Sequence, residues 1–125
     1  MAEQTIVSTE RAPAAVGPYS QAVALEGLVF TSGQIALVPE TGEMPEGIRA
    51  QTEQVMQNLG EVLKAAKSDY NKVLKTTCFL ADMADFEAFN AVYARFFEQK
   101  PARSCVAARA LPRGALVEVE AIAFR

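Results

Sequence analysis

The sequence predicts an α+β fold: a two-layer sandwich of a five- to six-stranded mixed sheet with two helices on one face. Three features of its 125 residues lead there. Two segments repeat apolar side chains at helical spacing. The other apolar segments are short and rich in β-branched and aromatic residues. Their order along the chain is β-β-α-β-α-β-β.

Residues 19–25 and 28–34 are β-prone and separated by Glu26-Gly27, a two-residue hairpin turn, so the chain opens with antiparallel strands. Residues 5–8 offer an extra strand before them. The turn formers of Pro39-Glu40-Thr41-Gly42-Glu43 and Pro45-Glu46-Gly47 then lead away from the sheet. Over residues 48–67 the apolar side chains of Ile48, Val55, Met56, Leu59, Val62 and Leu63 form one stripe, with Gln51, Gln54, Gln57, Glu61 and Lys64 between them, the pattern of a half-buried helix. Residues 73–80 read as a strand. Asp82 to Asp85 supply N-cap candidates for a second helix, whose stripe is Phe86, Phe89, Val92, Tyr93, Phe96 and Phe97 and whose stop is Pro101. Two more strands, 103–109 and 116–123, are joined by Leu111-Pro112-Arg113-Gly114. Two helices cover one face of such a sheet, yet Val117, Val119 and Ala121 point one way and Ile122 the other. Burying the second apolar face calls for another copy of the chain.

The whole of residues 1–125 reads as one domain, without repeats, low-complexity tracts or linkers. With 50% hydrophobic and 22% charged residues the composition is that of a soluble globule. Histidine is absent, which excludes Ser-His-Asp and Cys-His catalysis and every imidazole metal site. Cys78 and Cys105 lie far apart, with no Cys-x-x-Cys spacing, so no disulfide framework or thiolate metal site is expected, and a reducing compartment fits. The amino terminus, Met1-Ala2-Glu3-Gln4, lacks the pattern of a leader, and no apolar run is long enough to span a bilayer, so a cytoplasmic protein with no membrane partner is expected. Net charge is −3, divided between 6 basic and 12 acidic side chains in residues 1–94 and 6 basic and 3 acidic in residues 95–125. An anionic ligand belongs near the positive carboxyl-terminal third.

Strand periodicity puts Arg103, Cys105, Ala107 and Arg109 on one face of their strand, and Glu118, Glu120 and Ile122 on one face of the next. Such charges fit either a structural Arg–carboxylate pair or an anion site, in which a guanidinium grips a carboxylate through two parallel hydrogen bonds while a glutamate moves a proton or orients water. Arg103 near Cys105 invites a thiolate nucleophile, but with no histidine as base both cysteines read better as small hydrophobes. Thr31-Ser32-Gly33-Gln34 is either a plain strand end or a close approach of backbone to ligand. Tyr19 fits a core or a lid, and Asn90 fits a backbone cap or a pocket.

Six blocks then occur in order: Pro13-Ala14-Ala15-Val16-Gly17-Pro18-Tyr19-Ser20-Gln21, Thr31-Ser32-Gly33-Gln34-Ile35, Pro39-Glu40-Thr41-Gly42-Glu43, Lys75-Thr76-Thr77-Cys78-Phe79-Leu80, Phe89-Asn90-Ala91-Val92-Tyr93 and Pro101-Ala102-Arg103-Ser104-Cys105-Val106. With Val117-Glu118-Val119-Glu120-Ala121 they resemble the reactive-intermediate deaminase (RidA/YjgF) family over nearly the whole chain. The resemblance implies a chorismate-mutase-like fold, a homotrimer with ligand clefts between subunits, and no cofactor or metal. It implies hydrolysis of enamine/imine carboxylates such as 2-aminoacrylate and 2-aminocrotonate, released by pyridoxal-phosphate-dependent dehydratases, to 2-oxo acids and ammonia. By matching motifs, Arg103 clamps the carboxylate, Tyr19 closes over the ligand, Ser32 and Gly33 line the pocket, Asn90 supports it, Cys105 contributes main-chain groups and Glu118 faces the reacting centre. Ala107-Ala108-Arg109-Ala110 and the short connection Phe97-Glu98-Gln99-Lys100-Pro101 depart from the family pattern and bear on substrate preference. The rival readings are an RNA-acting protein, endoribonuclease or translation inhibitor, against which the acidic net charge weighs, and a ligand-sensing regulator without catalysis.

Overall fold

The short β-prone segments pair as their alternation requires. The computed structural model describes residues 3–125; Met1 and Ala2, half of the stretch read above for a leader, lie outside the described residues. Strands β1 (Gln4–Val7), β2 (Ala22–Leu25) and β3 (Leu28–Thr31) form an antiparallel meander, and the β2–β3 turn is Glu26-Gly27 with Glu26 at φ 53°. Helix α1 (Ile48–Ala65) follows, then β4 (Val73–Leu80), helix α2 (Phe86–Phe96), β5 (Ala102–Ala107) and β6 (Val117–Phe124). The strands make one six-stranded sheet in the order β1-β2-β3-β6-β4-β5. Only β4 and β5 run parallel, joined through α2, so the sheet is mixed.

The residues of one sheet face alternate with those of the other as the period of two dictates. Val29, Cys78, Leu80, Val117, Val119 and Ala123 lie on the face toward the helices and are fully buried with Val55, Met56, Leu59, Val62 and Leu63 of α1 and Phe89 of α2. Each large aliphatic side chain so buried contributes about 1.5–3 kcal/mol. On the other face Ile6, Val23, Phe30 and Ile122 are register neighbours across four strands, and Ile6, Phe30 and Ile122 are 70%, 43% and 36% exposed. Leu28 and Phe124 extend this bare apolar face.

The structure corrects several boundaries. Helix α1 stops at Ala65 rather than at residue 67, because Lys67 turns left-handed at φ 66°. Gln51, assigned above to the polar side of that helix, is buried: it donates to Pro45 O (3.0 Å) and accepts from Leu116 N (2.9 Å), tying the helix to two loops. Asp82 caps a single 3₁₀ turn, Met83–Asp85, ahead of α2. That helix ends at Phe96, five positions before Pro101, so proline does not stop it. Strand β5 ends at Ala107, where Leu80, its last parallel partner, also ends β4, so Arg109 lies beyond the sheet and not on the face of Arg103. Strand β3 closes at Thr31, and Gln34 touches the sheet only through an isolated bridge to Val119.

Candidate active site

Arg103 is the second residue of edge strand β5 and the register partner of Thr76, which lies on the helix-covered face. Its guanidinium therefore points toward α2. There its Nη1 donates to Asn90 Oδ1 at 2.7 Å, and its carbon sits 4.9, 5.5 and 5.9 Å from the ring centres of Tyr93, Phe86 and Phe89. The helical spacing of these rings and Asn90 makes a box whose aromatic faces favour a cation. Tyr93 is held in turn by a 2.7 Å hydrogen bond to Thr76. Among the described residues no carboxylate pairs with Arg103, which removes the structural ion pair and leaves most of its five N–H donors unused. The guanidinium opens onto a cavity of about 320 Å³ lined also by Asn90, Tyr93, Phe97, Lys100 and Pro101. Cys105, two residues on, shares this face; burial raises its thiol pKa and nearby Arg103 only partly offsets that, which works against a thiolate. Cys78, its register partner, is fully buried, with its thiol pushed up to about 12.

Glu118 lies on the other face of the sheet. It pairs with Phe79, not with Thr76 or Cys78, and half-burial raises its carboxyl pKa, helped by the charge of Glu120. Gly33 passes directly against this carboxyl: a Cβ there would stand 2.7 Å from Glu118 Cδ and closer still to Oε2. Ser32 is fixed beside it, donating from Oγ to Ser20 O (2.5 Å) and from its amide to Gln21 O (2.9 Å). Tyr19 is half exposed, which rules out a core role, and with Gly33, Ile35, Leu37, Pro112 and Arg113 it lines a second cavity of about 330 Å³.

One chain thus assembles two groups of the expected residues. Arg103, Asn90 and Cys105 occupy the helix side of the sheet at β5, while Glu118, Gly33, Ser32 and Tyr19 gather around the bare side and its margin. The first group never meets the second within one chain. Two contributions were absent from the sequence reading: the rings of Phe86, Phe89 and Tyr93, read there only as a core stripe, and Arg113 at the second cavity. The spacing of Phe86, Phe89, Asn90 and Tyr93 carried the first signal; nothing local carried the second.

A family model described as Endoribonuclease L-PSP matches residues 9–125. Reactive Intermediate Deaminase A, chloroplastic, of Arabidopsis thaliana is 52% identical over 123 residues, which cover 97% of this chain and 66% of that protein. The chain belongs to the reactive-intermediate deaminase family. Another member, the 2-iminobutanoate/2-iminopropanoate deaminase of Mus musculus, is 49% identical over 122 residues, 96% of this chain and 90% of its own. Among solved members, E. coli TdcF with bound serine superposes with a TM-score of 0.93 at 42% identity, covering 97% of this chain and 98% of that one. RidA from the Antarctic bacterium Psychrobacter sp. PAMC 21119 superposes with a TM-score of 0.94 at 43% identity, covering 97% and 99%. Among the described residues of this family member no helix is long and apolar enough to cross a membrane.

Proposed function

We propose that this protein is an enamine/imine deaminase, hydrolysing the carboxylate-bearing imines derived from 2-aminoacrylate and 2-aminocrotonate to 2-oxo acids and ammonia. The observation that carries the reading is the Arg103 guanidinium: ringed by aromatics, oriented by Asn90, free of a carboxylate partner among the described residues, and facing a cavity. It is a carboxylate clamp awaiting a carboxylate. Relatives named as 2-iminobutanoate/2-iminopropanoate deaminases act on substrates of this class, and serine, held by TdcF, carries the same group.

The reaction asks little of the protein. The enamine takes a proton on carbon to become the imine, water adds to the electrophilic imine carbon, the nitrogen gains a proton, and the C–N bond breaks to release ammonia as the carbonyl forms. Arg103 fixes the carboxylate, the Glu118 carboxyl supplies and recovers the proton and orients the water, Gly33 and Ser32 let the ligand lie against the main chain, and Tyr19 closes the pocket. Cys105 contributes main-chain groups only.

Since Arg103 and Glu118 stand on opposite sides of one sheet, the site is completed between copies: the bare apolar face packs in a homotrimer, and each cleft takes Arg103 from one subunit and Glu118 from the next. The cytoplasm is the proposed compartment, since two cysteines without framework spacing suit a reducing medium. The decisive experiment adds the purified protein to a threonine dehydratase reaction and follows 2-oxobutanoate. Acceleration is expected. Binding of the imine or its product without acceleration identifies a sensor instead, and cleavage of RNA by the same preparation supports the activity named in the family description.

A further inference from the structure

The short segment before β6 carries an arginine in a conformation that suits glycine better. Arg113 has φ 59° and ψ 23°, and Gly114 follows at φ 70°. Few non-glycine residues adopt this region; here Glu26, Lys67 and Lys100 do so as well, at turns and a helix end, and of the four only Arg113 lines the cavity beside Tyr19 and Gly33. Pro112 starts the turn, and two main-chain hydrogen bonds close it, Gly114 N to Leu111 O (3.2 Å) and Ala115 N to Pro112 O (3.1 Å). The side chain so presented is, among the described residues, the only charged one lining the 330 Å³ cavity that Tyr19, Gly33 and Ile35 share, and Gly33 approaches Glu118 closely. Among the described residues Arg113 has no ion pair and no side-chain hydrogen bond. Arg113 is solvent-exposed, so its guanidinium stands at the mouth of this cavity, where an anionic group of a ligand can reach it.

Resting on the reading of the site as an imine hydrolase, we infer that Arg113 is a specificity-determining residue that binds a second, distal carboxylate, so that the substrates include imines of dicarboxylic 2-amino acids. Arg103 takes the carboxylate beside the imine carbon. Arg113 lies on the Glu118 side of the cleft, away from that clamp, where a substrate side chain extends. The chemistry at the imine carbon is unchanged; water adds and ammonia leaves as before. What changes is which side chain is held.

The test compares 2-iminosuccinate with 2-iminobutanoate, four-carbon imines that differ in the distal carboxylate, each generated in situ by a flavin-dependent amino-acid oxidase. The readout is the ratio of kcat/KM for the acidic over the neutral imine. Wild-type protein is expected to use the acidic imine at least as well as the neutral one. Arg113→Ala should lower the ratio by at least about tenfold, chiefly through KM, and Arg113→Lys should lower it less. Arg113→Gly loses the side chain while keeping the left-handed turn at no strain, so a fall shared by the Ala and Gly variants reports the guanidinium and not a collapsed loop. Ratios within about twofold of wild type in both variants, or a wild type that rejects the acidic imine, overturn the inference while the deaminase reading stands. Hydrolysis of neither imine removes both.

Discussion

Gly33→Ala tests the placement of Glu118 with a single methyl group. Gly33 is not one of the glycines at positive φ, so alanine fits the backbone, and the atoms nearest to the added methyl all belong to the Glu118 side chain. The added Cβ would lie 2.7 Å from Glu118 Cδ and 2.9 Å from Cγ, where ordinary contact begins near 3.4 Å. The carboxyl carbon must therefore withdraw by about 0.7 Å, and the nearer oxygen further. Glutamate is flexible and can comply without disturbing the sheet. A displacement approaching 1 Å at a proton-transfer group costs about 100-fold in kcat, near 2.7 kcal/mol of barrier. Stability should hold, because replacing glycine removes about 0.4–1 kcal/mol of unfolded-state entropy and so offsets the repacking. The assay is 2-oxobutanoate release in the coupled dehydratase reaction, with thermal unfolding measured on the same sample. The effect should also vanish on a Glu118→Gln background, since a group already disabled cannot be misplaced. A folded Gly33→Ala protein with kcat within about twofold of wild type would refute the role given to Glu118.

Four further outcomes are expected. Arg103→Lys keeps the charge but loses the two-pronged geometry and the Asn90 contact, so turnover in the coupled assay should fall at least about tenfold, or 1.4 kcal/mol, with Arg103→Ala lower and Cys105→Ser close to wild type; a dead Cys105→Ser beside an active Arg103→Lys would revive covalent catalysis. Phe30→Glu on the bare sheet face should turn a trimer into monomers by sedimentation and abolish turnover, and an active monomer would remove the intersubunit site. Mixing unfolded Arg103→Ala and Glu118→Gln subunits and refolding them together should restore about a quarter of wild-type activity, the fraction of clefts that random assembly leaves with both groups intact. The raised Glu118 pKa means the folded state favours the protonated carboxyl, so the stability this gives is present below the ordinary carboxylate range and is lost as pH rises through the folded-state value; Glu118→Gln should remove that component of the pH dependence of unfolding.

The fold was legible wherever one residue type answered to one period. The β-prone run Val73 to Leu80 forms a strand over those residues, alternating from Thr76 onward after an irregularity between Val73 and Lys75, while the stripe from Val55 to Leu63 is the buried face of α1. What failed were boundaries and exceptions set by tertiary contacts. Gln51 looks polar and outward until two loops arrive to satisfy it, 6 and 65 residues away in sequence. Pro101 looks like the end of α2 until the helix stops at Phe96, five residues earlier in number, to let the chain turn back into β5.

The candidate site was legible residue by residue but not as an arrangement. A period of two states which residues of β5 share a face and which residues of β6 do, but the relation between the faces depends on the register of the strand between them. That register pairs Thr76 with both Arg103 and Ala121, and Phe79 with Glu118 and Val106, which sends the arginine and the glutamate to opposite sides. No spacing within β5 or β6 contains this fact. Once it is known, the bare apolar face and the divided site require the same remedy. The proposed imine hydrolysis needs a cation at one end of the substrate and a proton donor at the other, which one such sheet does not bring together; an assembly that buried Phe30 and Ile122 would also bring the two groups of residues into one cleft.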